Sequence, residues 1–142
     1  MESTVDGTAD DGLAETFWSV ARRLRRQTHK TLEPWGITPG QSRAVNVLMR
    51  HGEMRLSELS EHLRIAPRST TEVVDGLQER GLVQRHPDPG DRRATLVVLT
   101  ADGRTVAEAI RSARIAEGER FFAALSPVDR AELSRILNKL RE

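Results

Sequence analysis

Apolar residues recur at helical spacing along most of this chain, and one short stretch switches to the β-prone pattern of strands. From Leu13 to about Leu32, the residues Leu13, Phe17, Val20, Ala21, Leu24 and Thr28 fall on one side of a helix. Pro34 ends that helix, and Trp35-Gly36-Ile37 forms a linker. Thr38-Pro39-Gly40-Gln41 starts the next, with Thr38 at the N-cap, Pro39 at the first helical position and Gln41 completing a capping box. Val45, Leu48 and Met49 continue as a buried stripe up to His51-Gly52. A strand stub at Met54-Arg55 leads into a third helix, about Ser57 to Leu63, with Ser57 as N-cap and Leu56, Leu59 and Leu63 on one stripe.

The break at Arg64-Ile65-Ala66-Pro67 separates this helix from its successor. Pro67 disfavours helical geometry at Ala66, yet its fixed φ suits the first position of a new helix, which runs to about Arg80 and is closed by Gly81. Ala66, Thr70, Val73 and Leu77 share the packed face, Val74 sits at its edge, and Arg68, Thr71, Glu72 and Asp75 point outward. Two β-prone runs follow, Leu82 to His86 and Ala94 to Leu99, around a loop from Pro87 to Arg93. Thr100 caps a long helix from Ala101 to about Ala124, whose narrow stripe is Val106, Ala109, Ile110, Ala113 and Ala116. Ser126, with Asp129 at N3, restarts a last helix carrying Leu133, Ile136, Leu137 and Leu140.

Helix, turn, helix and hairpin in this order predict a mainly α fold with a small β-hairpin wing, a winged helix-turn-helix able to lie on DNA. At the start of its second helix, Pro67, Arg68, Ser69, Thr70 and Thr71 bring together hydroxyls, an arginine and free backbone N–H groups, a set that suits phosphates and base edges. Thr70 is thus assigned both to the packed face and to the DNA contact. In the wing, Asp91 is placed to hold the Arg93 guanidinium, leaving Arg92 or Arg93 to enter a minor groove. The plainer alternatives are an ordinary amphipathic surface helix and a hairpin whose Asp88, Asp91, Arg92 and Arg93 neutralise each other.

Three segments at this spacing resemble the second half of a MarR-type winged-helix regulator: Glu79-Arg80-Gly81-Leu82-Val83, Asp91-Arg92-Arg93-Ala94, and Leu99-Thr100-Ala101-Asp102-Gly103. The similarity in element order extends over about residues 13–141. It implies a dimeric DNA-binding regulator, often a repressor and often released by a small aromatic or phenolic molecule. The resemblance further implies that the first and last helices of two copies intertwine. The chain then divides into a flexible acidic tail (1–12), an N-terminal dimerisation helix and linker (13–37), the winged DNA-binding domain (38–100) and C-terminal dimerisation helices (101–142). The pattern itself points the same way, because the terminal helices carry more apolar stripe than a compact winged domain needs; a monomer with a three-helix cap is the alternative. Two-fold symmetry would set the recognition helices roughly 34 to 36 Å apart and demand a pseudo-palindromic site.

A ligand cleft between dimer helices and winged domain is also implied by the resemblance, with Trp18, Arg22, Trp35 and Phe121 as candidate lining residues. Aromatics on helices more often serve as core. One departure from the family pattern falls on the recognition helix, where many relatives carry a basic residue in place of Glu72. A carboxylate there repels phosphate but can accept from a cytosine amino group.

Composition narrows these readings. The 142 residues are one domain's worth, and 4% aromatic content argues for an aliphatic core. Lys and Arg total 22 against 21 Asp and Glu, a net charge of +1, so DNA affinity has to come from local patches. One such patch is the Arg22, Arg23, Arg25, Arg26 and Lys30 face of the first long helix, either solvated or touching phosphate at the edge of a DNA footprint. There is no cysteine, which excludes disulfides, thiolate metal sites and the cysteine-based peroxide sensing of some members of the resembled family. The absence of a signal-like or membrane-length apolar run makes a cytoplasmic location the expectation, with no membrane partner. His29, His51, His62 and His86 lack metal-ligand spacing, no glycine-rich phosphate loop follows a strand, and neither metal, cofactor nor catalysis is predicted. The expected partners are double-stranded DNA, a second copy of the chain and a small aromatic ligand. Near-neutral charge and Glu72 keep one alternative open: a winged-helix protein-interaction module without sequence-specific DNA binding.

Overall fold

The computed structural model describes the backbone of residues 2–141 and the side chains of residues 12–141; the acidic tail expected over 1–12 rests on side chains outside the described residues. Helix α1 (Glu2–Leu32) is followed by a 3-10 turn (Glu33–Trp35), α2 (Pro39–His51), strand β1 (Met54–Arg55), α3 (Leu56–Leu63) and α4 (Pro67–Glu79). Strands β2 (Val83–Asp88) and β3 (Asp91–Leu99) form the wing, and α5 (Ala101–Phe122) and α6 (Pro127–Leu140) complete the chain. The fold is the expected one, mainly helical with a small antiparallel sheet in the order β1-β3-β2. Packing divides it into two compact units, Thr31–Ala113 and the pairing of Met1–Lys30 with Arg114–Glu142.

The Thr31–Ala113 unit is built around an aliphatic core. Leu32, Ile37, Val45, Leu48, Leu59, Leu63, Val74, Leu77, Val83, Val97, Ala107 and Ile110 are all buried in it, and each of the larger side chains, Ala107 apart, contributes about 1.5 to 3 kcal/mol on removal from water before the cost of ordering the chain. The capping box at α2 forms as the sequence predicts: Thr38 N–H donates to Gln41 Oε1 at 3.0 Å, and Gln41 N–H donates to Thr38 Oγ1 at 3.1 Å. Arg43 then reaches across to the Leu63 carbonyl, 2.7 Å away, and satisfies the C-terminal end of α3.

Three local expectations are corrected. Helix α3 begins at Leu56, one residue early, because β1 pairs with β3 through Arg55↔Leu96 and Glu58 reaches back to accept the Arg55 N–H at 3.2 Å; Ser57 is inside the helix and does not cap it. On α4 Val74 is fully enclosed together with Leu77, while Val73 lies at the margin and Ala66 is exposed. The wing has no seven-residue loop. Its strands run on to Asp88 and from Asp91, leaving Pro89-Gly90 as the turn. The extra residues are absorbed by an irregularity in the ladder, where Asp88 pairs with Asp91 but Pro87 pairs with Thr95. Arg92, Arg93 and Ala94 are therefore surplus on β3, opposite a proline that has no N–H to offer.

Gly103 explains why the segment after the wing reads as it does. A Cβ there would lie 2.0 Å from the Leu82 carbonyl oxygen, so the first turn of α5 seats against the β2 entry only with glycine at this position. Thr100 secures the same corner. Its hydroxyl accepts from Gly103 N–H at 2.9 Å and donates to the Gly81 carbonyl at 2.6 Å.

In the other unit, Ser126 caps α6 by accepting from Asp129 N–H at 3.1 Å. Phe121 and Phe122 meet edge to face at 5.0 Å, and the Arg23 guanidinium lies 5.7 Å from the centre of the Phe121 ring. Large apolar side chains remain on the surface of this unit, among them Leu13 (71% exposed), Trp18 (56%) and Leu140 (74%).

Candidate nucleic-acid interface

The start of α4 is open. Its N-cap is Ala66, which has no side-chain acceptor, and Pro67 occupies the first helical position, so the N–H groups of Arg68 and Ser69 are left without a cap. Pro67, Arg68 and Ser69 are all exposed. A helix N-terminus with free donors and an arginine beside it favours an anion.

Thr70 does not join them. Its side chain is fully buried, its Oγ1 accepts from Ser60 Oγ at 2.8 Å and donates to the Ala66 carbonyl at 3.2 Å. Of the two assignments made for Thr70, packing and DNA contact, the structure supports packing; the hydroxyl locks α3 to α4 instead of facing solvent. Thr71 is half-buried, and its hydroxyl donates to the Pro67 carbonyl at 3.0 Å, which leaves the oxygen as an acceptor.

The outer flank of α4 is held by a residue that the sequence reading did not single out. Arg85, on β2, donates to Asp75 Oδ1 at 2.5 Å, to the Gln78 side-chain oxygen and to the Thr71 carbonyl at 3.5 Å. One guanidinium thereby fastens the wing to the recognition helix. The signal in the sequence was the pair of acceptors Asp75 and Gln78, one turn apart on the outward face, followed by an arginine in the first β-run.

At the wing tip, carboxylates are spent on geometry. Asp88 accepts from Gly90 N–H at 2.9 Å and from Arg55 Nε at 2.8 Å. Its carboxyl is held below the usual carboxylate range, first by the Gly90 N–H, against partial desolvation, and then by Arg55. Asp91 accepts from the backbone N–H of Arg93 at 3.0 Å and makes no ion pair with the Arg93 guanidinium among the described residues, so its positioning role acts through the main chain. With Asp88 committed to Arg55 and Asp91 to a backbone N–H, the alternative of a hairpin whose charges neutralise each other is not what forms. Arg92 and Arg93 are exposed, and neither has an ion-pair partner among the described residues.

The four residues suggested as ligand contacts fall in different units. Trp18, Arg22 and Phe121 belong to the α1–α6 unit, where Trp18 meets Phe17 edge to face at 6.0 Å and Phe121 stacks with Arg23, not Arg22. Trp35 belongs to the winged unit, half-buried against its core, with its carbonyl accepting from Arg80. A second Arg80 nitrogen donates to the Gly36 carbonyl at 2.6 Å. Among the described residues no group of three His, Asp or Glu side chains could hold a metal ion, and no helix is long and apolar enough to cross a membrane.

A helix-turn-helix followed by an arginine-tipped wing defines a class, and comparison with known proteins assigns the family. The family model described as the MarR family matches residues 35–94, from the linker to the wing. The HTH-type transcriptional repressor MdtR of Bacillus subtilis is 26% identical over 124 residues, covering 87% of this chain and 80% of MdtR. Mb0904 of Mycobacterium bovis, an uncharacterized HTH-type transcriptional regulator, is 31% identical over 124 residues, 87% of this chain and 85% of its own length. A mutant of MarR from E. coli, solved in complex with operator DNA, superposes with a TM-score of 0.76 over 92% of this chain and 94% of that one, at 24% identity. The chain belongs to the MarR family of winged helix-turn-helix transcriptional regulators.

Proposed function

We propose that this protein is a homodimeric repressor that binds a pseudo-palindromic operator. The open N-terminus of α4, with Pro67, Arg68, Ser69 and the edge of Thr71, enters the major groove. Arg92 and Arg93 enter the adjacent minor groove, aimed by the Asp91 turn. The observation that carries this reading is the state of those two arginines: they sit on a ladder irregularity, exposed, while Asp88 is paired with Arg55 and Asp91 accepts the Arg93 backbone N–H, so neither carboxylate neutralises their guanidinium groups. A minor groove offers the negative potential they lack. The repressor assignment follows relatives such as MdtR, and the operator follows the DNA-bound MarR mutant.

Dimerisation is supported by the apolar side chains that the α1–α6 unit leaves exposed, Leu13, Phe17, Trp18, Val20, Ile115, Val128, Ile136 and Leu140. That many large apolar groups on one unit is the signature of a surface meant to be covered. An aromatic or phenolic effector would release the operator only by preferring a dimer whose helices are mis-spaced for DNA. Trp35 suits such a role, since Arg80 links its carbonyl to the C-terminal end of α4.

Selection from random duplex DNA tests the proposal. A symmetric motif with half-sites one helical turn apart is the expected result, and failure to enrich any sequence would reject it.

A further inference from the structure

On the outward face of α4, Arg68, Glu72, Asp75 and Glu79 form a single ridge, about one helical turn from each to the next, opposite the buried Thr70, Val74 and Leu77. The ridge is not uniform. Asp75 is neutralised by Arg85, which also occupies Thr71 and Gln78 and so covers one flank of the helix. Toward the N-terminal end this leaves Arg68 and Glu72 as the charged side chains open to a ligand, both exposed and neither in an ion pair among the described residues. They do not satisfy each other, in keeping with their order: a cation one turn before an anion is the weaker arrangement of a helical pair.

We propose that Arg68 and Glu72 together read a guanine and a cytosine in the operator half-site, Arg68 donating to guanine N7 and O6 and Glu72 accepting from the cytosine N4 amino group. This rests on the DNA-binding function proposed above and deepens it. A carboxylate accepts only, and in the major groove cytosine presents a donor alone, adenine a donor beside its N7 acceptor, which opposes the second carboxylate oxygen, and guanine and thymine only acceptors. An unpaired carboxylate beside the duplex is repelled by phosphate unless it meets such a donor. The equal and opposite charges of Arg68 and Glu72 leave this part of the helix with no net pull on the backbone, so what it contributes is discrimination. General attraction falls to the wing arginines and the uncapped N–H groups.

The test is selection from random duplex DNA with wild type, Glu72→Gln and Glu72→Ala, each checked by circular dichroism for an unchanged helix content; Glu72 is exposed, so both variants are expected to fold. Wild type is expected to enrich a cytosine at one position of each half-site. Glu72→Gln should move the preference there to adenine, which glutamine reads through N6 and N7, and Glu72→Ala should lose it, with the other positions unchanged. In anisotropy measurements, replacing that cytosine should weaken wild-type binding roughly 5- to 150-fold and Glu72→Ala binding by no more than about twofold. If both variants select the wild-type motif with undiminished stringency, or bind all sequences uniformly tighter, Glu72 does not read a base and the proposal fails. No enrichment by wild type would overturn the DNA-binding reading itself.

Discussion

Arg85 and Asp75 join the wing to the recognition helix through an ion pair of 2.5 Å, in a chain whose elements otherwise meet mainly through aliphatic packing. Both side chains are partly exposed, so the pair itself adds at most about 1 kcal/mol to stability. Its larger consequence is geometric, because the same guanidinium also binds Gln78 and the Thr71 carbonyl. Arg85→Ala should lower the urea midpoint slightly and weaken operator binding well beyond that loss. Arg85→Lys should not restore binding, since an ammonium lacks the fork that spans three acceptors. Full operator affinity in Arg85→Lys would show that the charge alone matters.

Thr70 offers a sharper separation of stability from recognition. Thr70→Val keeps the shape but leaves the buried Ser60 hydroxyl without its acceptor, at a cost of about 1 to 3 kcal/mol. Adding Ser60→Ala removes the stranded group, so the double variant should be more stable than Thr70→Val alone. The selected DNA motif should be the same for all of them. A changed motif in Thr70→Val would return Thr70 to the contact surface.

How far the sequence could lead is visible at these residues. Helical periodicity identifies α1 to α6 because each carries an apolar stripe, buried in α2 to α5 and largely exposed in α1 and α6, and the capping box at Thr38-Gln41 marks a boundary because it is local chemistry. What periodicity cannot supply is the choice between neighbours on one face. Thr70 and Val74 face inward because α3 packs there, and no count of residues along α4 distinguishes that direction from one centred on Val73. The wing departs from its sequence pattern for a related reason. Pro87 reads as a strand breaker, yet an edge strand tolerates it where the partner strand carries surplus residues that need no N–H from it. Arg85 went unnoticed because its partners lie on another element, and pairings of that kind are set by tertiary packing.

Gly103 should tolerate no side chain. Gly103→Ala places a methyl 2.0 Å from the Leu82 carbonyl oxygen, a backbone atom that cannot swing aside. Despite the better helix propensity of alanine, the substitution is expected to destabilise the winged unit by about 1 to 3 kcal/mol or more, read as a lowered melting temperature. Unchanged or raised stability would mean that α5 does not seat on the Leu82 turn.

Acid should loosen the wing. The Asp88 carboxyl titrates below its ordinary value in the folded chain, chiefly through the Gly90 N–H and secondarily through Arg55, against some desolvation. A depressed folded value means that its contribution is present in full above the unfolded carboxylate range and disappears as the pH falls through the folded value. An NMR titration should find the Asp88 carboxyl among the more acidic aspartates, and Asp88→Asn should abolish that part of the pH dependence. An Asp88 that titrates at or above the usual range would contradict the hydrogen bonds described for it.

The measurement closest to the centre of this account is fluorescence anisotropy on the selected operator at several salt concentrations, with excess nonspecific competitor, for wild type and Arg93→Ala. Wild-type binding should survive competitor and fall steeply with salt, by about 0.9 in log K per phosphate neutralised for each log unit of salt. Arg93→Ala should bind more weakly while sedimenting as the same oligomer. Salt-insensitive binding, or an Arg93→Ala affinity equal to wild type, would contradict the placement of the wing in a DNA groove.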